Sequence, residues 1–363
     1  MIEEPSMIAE AKQVETGLMK AVVRERYGSP DVIQFKEREK PVLDDVRGVL
    51  VKIYASSVNP TDRYDISPPT MIRLISPLLR MGTGVRRPKD PRLGSNFAGR
   101  VEAVSSNVTQ FKPGDEVFGV INGAYAEYAT AKETKIALKP TNRTFEESAA
   151  VPIAGITALQ ALRDKGHIQP GQKVLINGAG GGVGTFAVQI AKSFGAEVTA
   201  VTNTRNLDMV RKLGADHVID YTKEDFARNG QRYDLICEIA SSHSISDYKR
   251  IMNPNGICVL VGIRQNLIRG LLYFIVRGRL SRGDKKFTFF IAKTNHEDFV
   301  VLKELMESGK IVPVIGTRYP LSETAQAVRQ LIEGKTRGKI VIKVDHDGNN
   351  PAWTLGPPGE GSR

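Results

Sequence analysis

From Lys173 to Phe194 the chain reads KVLINGAGGGVGTFAVQIAKSF: an apolar strand, a turn nearly devoid of side chains, and an amphipathic helix. Five of the seven residues from Gly178 to Gly184 are glycine. Ordering such a stretch is costly, because glycine loses the most backbone freedom on folding. A strand–glycine turn–helix unit brings backbone N–H groups and the positive end of a helix close to a pyrophosphate, where any Cβ would intrude. Val183, Ala187, Ile190, Ala191 and Phe194 share one helical face, and Gly195 supplies a stop. The register is Ala179-x-Gly181-x-x-Gly184, so alanine stands at the first position of the common fingerprint.

The surrounding pattern predicts the rest of an α/β unit. KVLIN, EVTAVT, HVID, DLICEIA and ICVLVG are apolar strands separated by helical segments at 183–194, 206–213, about 223–229 and 245–252. That alternation implies a doubly wound parallel sheet. Residues 20–150 instead show short strands broken by Gly/Pro turns, the rhythm of a β-barrel. The expected organisation is a flexible leader over 1–18, a barrel domain over 19–150 completed by 294–344, a nucleotide domain over 151–293, and a disordered tail over 345–363.

The end of the second strand selects the nucleotide. A carboxylate there would bind a ribose 2′-OH and repel a 2′-phosphate. The chain offers Asn203, Thr204 and Arg205, with no acid before Asp208. An amide, a hydroxyl and a bidentate guanidinium suit a phosphate, so NADP(H) is expected. The plainer alternative is that Arg205 caps an exposed turn.

The chain resembles the medium-chain dehydrogenase/reductase superfamily, in its zinc-independent quinone oxidoreductase branch. The likeness spans about 19 to 344 and rests on VNPTDRY (58–64), LGSNFAGRVEAV (93–104), FKPGDEVFGV (111–120), GAYAEYA (123–129) and AAVPIAGITALQAL (149–162). The glycine turn, LGADHVIDY (213–221) and the segment 309–342 complete it. The resemblance implies a GroES-like barrel joined to a Rossmann domain, with the active site between them. It implies that Ala179, Gly181, Gly182, Val183 and Gly184 hold the pyrophosphate, while Thr204, Arg205 and Tyr221 surround the 2′-phosphate and ribose. Thr157 would lie near the nicotinamide, with Gly262 and Ile263 presenting backbone to its carboxamide. Asn59 and Tyr64 would face the nicotinamide, and Tyr64 would donate a hydrogen bond or proton to the substrate; the alternative is a loop tyrosine with a solvated hydroxyl. A homodimer is the family expectation.

No metal is expected. Zinc-dependent relatives carry a cysteine in the segment matching NPTD and a His-Glu pair after the glycine of LGSN; this chain has Asn59, Ser95 and Asn96 there. Amides and hydroxyls are poor zinc ligands. Cys237 and Cys258 cannot make a four-cysteine lobe, and the five histidines never pair at metal-ligand spacing. Without a metal, hydride transfer suits an acceptor already electron-poor, such as a quinone or α,β-unsaturated carbonyl. The rival readings are an enoyl-thioester reductase, with Arg86, Arg87 and Lys89 binding a phosphate, and a non-catalytic NADPH-binding sensor. No Ser–His–Asp or Cys–His constellation competes with the oxidoreductase reading.

The net charge of +11 is scattered, so a small electrophilic molecule rather than nucleic acid is the expected partner. The N-terminal residues lack signal-peptide order and no apolar run approaches roughly 20 residues, so the expected location is the cytoplasm. The basic insert 264–293 is read as a substrate lid or dimer arm, with peripheral membrane contact through 264–280 the less favoured use.

Overall fold

A computed structural model describes residues 17–43, 47–68, 87–240, 242–261 and 284–346. Its larger sheet arises from apolar runs that are covered on both faces. Strands β8 (Lys173–Asn177), β9 (Glu197–Thr202), β10 (His217–Asp220), β11 (Tyr233–Glu238), β12 (Met252–Val261) and β13 (Lys286–Phe290) pair in the order β10-β9-β8-β11-β12-β13. Every pairing is parallel. In β8 only Lys173 is exposed, as expected of a strand with helices on both sides. The strand order reverses between β8 and β11, and this switch point opens a crevice at their carboxyl ends.

The second sheet is mainly antiparallel. It runs β14 (Ile315–Pro320), β15 (Lys339–Lys343), β3 (Gly48–Val58), β4 (Asn96–Val104), β5 (Glu116–Val120) and β7 (Ile136–Leu138), with β6 (Tyr128–Lys132) also paired to β3. β1 (Leu18–Arg24) and β2 (Ile33–Glu39) form a separate antiparallel ribbon. β15 pairs with β3 across about 280 residues of sequence, with Ile340 opposite Val58. The chain thus leaves the barrel, builds the parallel sheet and returns. Helices α2 (Phe145–Ala149), α3 (Pro152–Gln160), α4 (Gly182–Ser193) and α7 (His296–Glu307) lie at the junction. One apolar cluster contains Ala55, Ala98 and Phe118 of the barrel together with Phe186 of α4 and Phe299 of α7. The Phe118 and Phe299 rings meet edge-on at 5.6 Å. The two sheets therefore share a dry seam.

Three local expectations change. Residues 223–229 form turns instead of a helix: the Asp225 carboxylate accepts the Ala227 N–H at 2.9 Å, and Gly230 follows with φ +79°. An aspartate that satisfies the backbone two residues on competes with helical bonding. Residues 286–290 of the presumed arm are the sixth strand; 264–283 lie outside the described residues. A π-helical turn, Ala161–Lys165, extends α3 without a periodicity signal.

The start of α1 (Pro60–Ile66) sets the position of Asn59 and Tyr64. Asp62 Oδ2 reaches back to the Asn59 N–H at 2.7 Å and accepts the Tyr125 hydroxyl at 2.7 Å. Asp62 is 1% exposed, and its Oδ1 has no partner among the described residues. Burial outweighs these donors and pushes the carboxyl up to about 7. A carboxyl near 3.9 in the unfolded chain and near 7 in the folded one makes the folded state the stronger proton binder. Its stabilising contribution is complete below the unfolded value and is lost as pH rises through 7. Asp298, where hydrogen bonds from Gln160 and Arg163 outweigh burial, is held low and loses its contribution only in acid. The protein should therefore be about 2 kcal/mol more stable at pH 5.5 than at pH 7.5 from Asp62 alone. Urea unfolding should show this gain in the parent and a much flatter profile in Asp62→Asn.

Candidate active site

The glycine turn hangs over the switch point. Gly178 and Ala179 donate to Val201 O of β9 at 3.2 and 3.0 Å, and Gly178 takes φ +94°. A Cβ on Gly184 would lie 2.2 Å from Gly178 O, so α4 can start this close to the strand only with glycine there. A Cβ on Gly180 would lie 2.5 Å from both Thr202 Oγ1 and Asn206 Nδ2. Helices α2 and α7, and α6 (Ile245–Ile251), receive side-chain caps from Thr144, Asn295 and Ser244. The cap position of α4 is Gly181, which has no side chain to offer. The first-turn N–H groups of α4, on Gly182, Val183 and Gly184, therefore receive no side-chain cap.

Beside the turn lies the end of β9. Asn203 and Asn206 each have a buried Oδ1 with no partner among the described residues, as expected where a polar ligand completes the pairing. Arg205 is exposed and donates one bond, Nη2 to Gly334 O at 3.2 Å, which tethers it to the end of α8 (Thr324–Ile332). Tyr221 is 57% exposed, its N–H bonded to Thr202 O at 3.0 Å. Thr204 donates its hydroxyl to Asp220 Oδ2 at 2.6 Å, so that proton is committed. Asp220, at the end of β10, also accepts from Thr222 Oγ1 at 2.7 Å, and these hydroxyls hold its carboxyl below the usual range. The structure thus brings Asn203, Thr204, Arg205 and Tyr221 to one edge of the glycine turn and adds Asp220.

On the barrel side, Asn59 is 1% exposed. Its Nδ2 donates to Ser57 O at 3.1 Å, and its Oδ1 accepts the Lys339 ammonium at 2.6 Å. Lys339 also donates to Val58 O at 2.9 Å. Its aliphatic stem passes the glycine turn, since a Cβ on Gly182 would sit 3.0 Å from Lys339 Cδ. Asn59 and the start of α4 are therefore linked by one lysine side chain. Tyr64 is half-buried on α1. Thr157 is half-buried on α3, its hydroxyl donating to Ile153 O at 2.6 Å. Gly262 and Ile263 lie outside the described residues.

Sequence reading missed several polar groups. Asp62, Tyr125 and Lys339 lie in VNPTDRY, GAYAEYA and the segment 309–342, far apart in sequence, and nothing in those segments shows that they meet. It also missed a hydrogen-bonded Ser–His–Asp chain. His243 Nε2 lies 2.9 Å from Asp225 Oδ1, and His243 Nδ1 lies 2.8 Å from Ser242 Oγ. Ser242 Oγ in turn accepts Asn177 Nδ2 at 2.8 Å, and Asn177 and Tyr248 both donate to buried Glu238. The turn at Asp225, read as helix from sequence, is what delivers the carboxylate. The chain ends on the amide of Asn177, so its serine oxygen is an acceptor within a loop brace.

The positions matching zinc ligands are spent on other bonds. Asn59 Oδ1 faces an ammonium, which would repel a divalent cation. Asn96 Nδ2 donates to Ser57 Oγ at 3.0 Å, and its Oδ1 accepts the Ile153 N–H at 3.3 Å. This donor set does not fit zinc. Among the described residues no three His, Cys, Asp or Glu side chains cluster as ligands.

Residues 46–141 match the family described as Alcohol dehydrogenase GroES-like domain, and 213–342 that described as Zinc-binding dehydrogenase. The chain is 30% identical over 340 residues to quinone oxidoreductase of Homo sapiens, covering 90% of this chain and 98% of that protein. It is 30% identical over 360 residues to the mitochondrial NAD(P)H oxidoreductase RTN4IP1 of Mus musculus, covering 90% and 89%. The solved quinone oxidoreductase of Coxiella burnetii superposes with a TM-score of 0.77 at 28% identity, covering 91% of this chain and 100% of that one. The chain belongs to the medium-chain dehydrogenase/reductase superfamily, in its quinone oxidoreductase-like branch.

Proposed function

We propose that this protein is an NADPH-dependent, zinc-independent reductase of quinones or other conjugated, electron-poor carbonyl compounds. The observation that carries this reading is the uncapped glycine turn flanked by buried, unpartnered amide oxygens and an exposed arginine, with no acid at the end of β9. The N–H groups of Gly182, Val183 and Gly184 would hold the pyrophosphate. Arg205, anchored through Gly334 O, would receive the 2′-phosphate on the remainder of its fork. Asp220 opposes that charge from the neighbouring strand, which makes Arg205 the deciding group. When bound, the reduced dinucleotide supplies a hydride.

The chain's own contribution is to orient and to manage a proton. α1 presents Asn59 and Tyr64, and the Asp62–Tyr125 bond fixes its first turn. A conjugated acceptor needs little polarisation, so placing it against the cleft with one or two donors supplies most of the rate. Tyr64 is the candidate donor of the proton that follows the hydride. Relatives called quinone oxidoreductase at about 30% identity support this substrate class.

Two experiments test the reading. NADPH and NADH oxidation is followed with quinones, enals and enoyl thioesters, with and without a chelator. Turnover with quinones or enals, unaffected by chelator, is expected; turnover with thioesters alone favours the enoyl-thioester rival, and loss with chelator overturns zinc independence. In Arg205→Asp the KM for NADPH should rise roughly tenfold or more, with little change for NADH. Equal effects on both would show that the 2′-phosphate does not meet Arg205.

A further inference from the structure

A cavity of about 270 Å³ opens where the end of β1 meets α1 and the segment leading into β4. One wall is Arg24, the last residue of β1 and only 8% exposed. Its backbone N–H donates to Pro91 O at 2.8 Å, and Val23 beside it bridges Arg92, so this strand end is fixed. The guanidinium donates from Nη1 to Arg92 O at 3.1 Å, while its Nε is buried with no partner among the described residues. A guanidinium carries five N–H groups, so most of this fork is unspent. Arg24 forms no ion pair within 4.0 Å among the described residues. A buried cation lacking a contact counter-ion is costly, and an anion entering the cavity would offset that cost. The other charges on the wall are unequal. Asp90 is gripped by Arg92 through Nε and Nη2 and accepts Asn122 Nδ2 at 2.6 Å. That leaves Arg24 and the exposed Lys89 against the exposed Asp65, one positive charge in excess. The cavity also adjoins the face that carries Asn59 and Tyr64. Asp65 follows Tyr64 on α1, and Ser95 on the wall precedes Asn96, which shares Ser57 as a bonding partner with Asn59.

We propose that this cavity is a specificity subsite that takes a carboxylate carried by the conjugated acceptor, with Arg24 as its main donor and Lys89 on the rim. The proposal rests on the reductase reading and names which members of that substrate class are preferred. A guanidinium presents its donors in a plane that matches a carboxylate. One excess positive charge suits a monoanion, and Asp65 opposes a second negative charge. The volume is small for a whole ligand, so the subsite holds the acidic substituent while the reacting double bond stays outside it. The reduction adds a hydride and a proton across that double bond and leaves the carboxylate unchanged.

The test pairs acetylacrylate, a conjugated keto acid, with its neutral amide, alongside an uncharged quinone, with the full chain and NADPH at neutral pH. In the parent, kcat/KM for the acid should exceed that for the amide roughly tenfold or more, chiefly through KM. Arg24→Met should bring that ratio down toward unity. Asp65→Asn should widen it roughly threefold, because a repelling charge is removed. Were Asp65 instead the counter-ion of Arg24, the same change would narrow it. Free benzoate, but not benzamide, should raise the unfolding temperature of the parent and compete with acetylacrylate. Circular dichroism checks folding; should Arg24→Met not fold, Asp65→Asn decides, together with Lys89→Met, which should narrow the ratio roughly twofold. Equal kcat/KM for acid and amide, or a ratio that Asp65→Asn does not widen, overturns the subsite, and turnover of the quinone then leaves the reductase reading standing. Benzoate binding without a preference for the acid shows a site for a free anion and likewise overturns the proposal. Absence of turnover with every acceptor overturns the reductase reading and this proposal with it.

Discussion

The close approach of Gly184 to Gly178 O governs the geometry of the crevice. With 2.2 Å between that oxygen and a Cβ added at Gly184, helix α4 can begin directly above the end of β8 only because Gly184 lacks a side chain, while Gly178 takes φ +94°. Thr202, at the end of the neighbouring strand, and Asn206, in the turn after it, lie against Gly180.

The barrel serves this turn through its last strand. β15 returns across the chain to pair with β3, and in doing so carries Gly338 and Lys339 against the glycine turn. Its lysine touches Asn59, and Asn59 is locked to Asp62 and Tyr125. This face of the barrel is thus organised by buried polar groups, whose partners must all be present for the arrangement to be stable. Apolar packing, from Phe118 on Phe299 to Ala98 near α3, closes the seam but does not specify chemistry.

Much of the fold was legible because its signals are local. Apolar strands at regular spacing and the strand–glycine turn–helix order each follow from neighbouring residues. The turn at 223–229 was misread because one side chain, Asp225, diverted the backbone from a helix its composition allowed. The strand at 286–290 was hidden because its basic flanks resembled a surface arm. The Asp225–His243 contact was illegible for the same reason: it exists only when the turn forms.

The amino-acid order alone determined the α/β class, the place of the glycine turn and the absence of cysteine or histidine where a zinc ligand would stand, since these depend on residue type and short-range spacing. Tertiary structure alone decided which polar groups face one another. Lys339 lies about 280 residues from Asn59, and Asp62 lies 63 from Tyr125, yet each pair shares a hydrogen bond. Burial then set their charge states, because the cost of an ion depends on what surrounds it rather than on its neighbours in sequence.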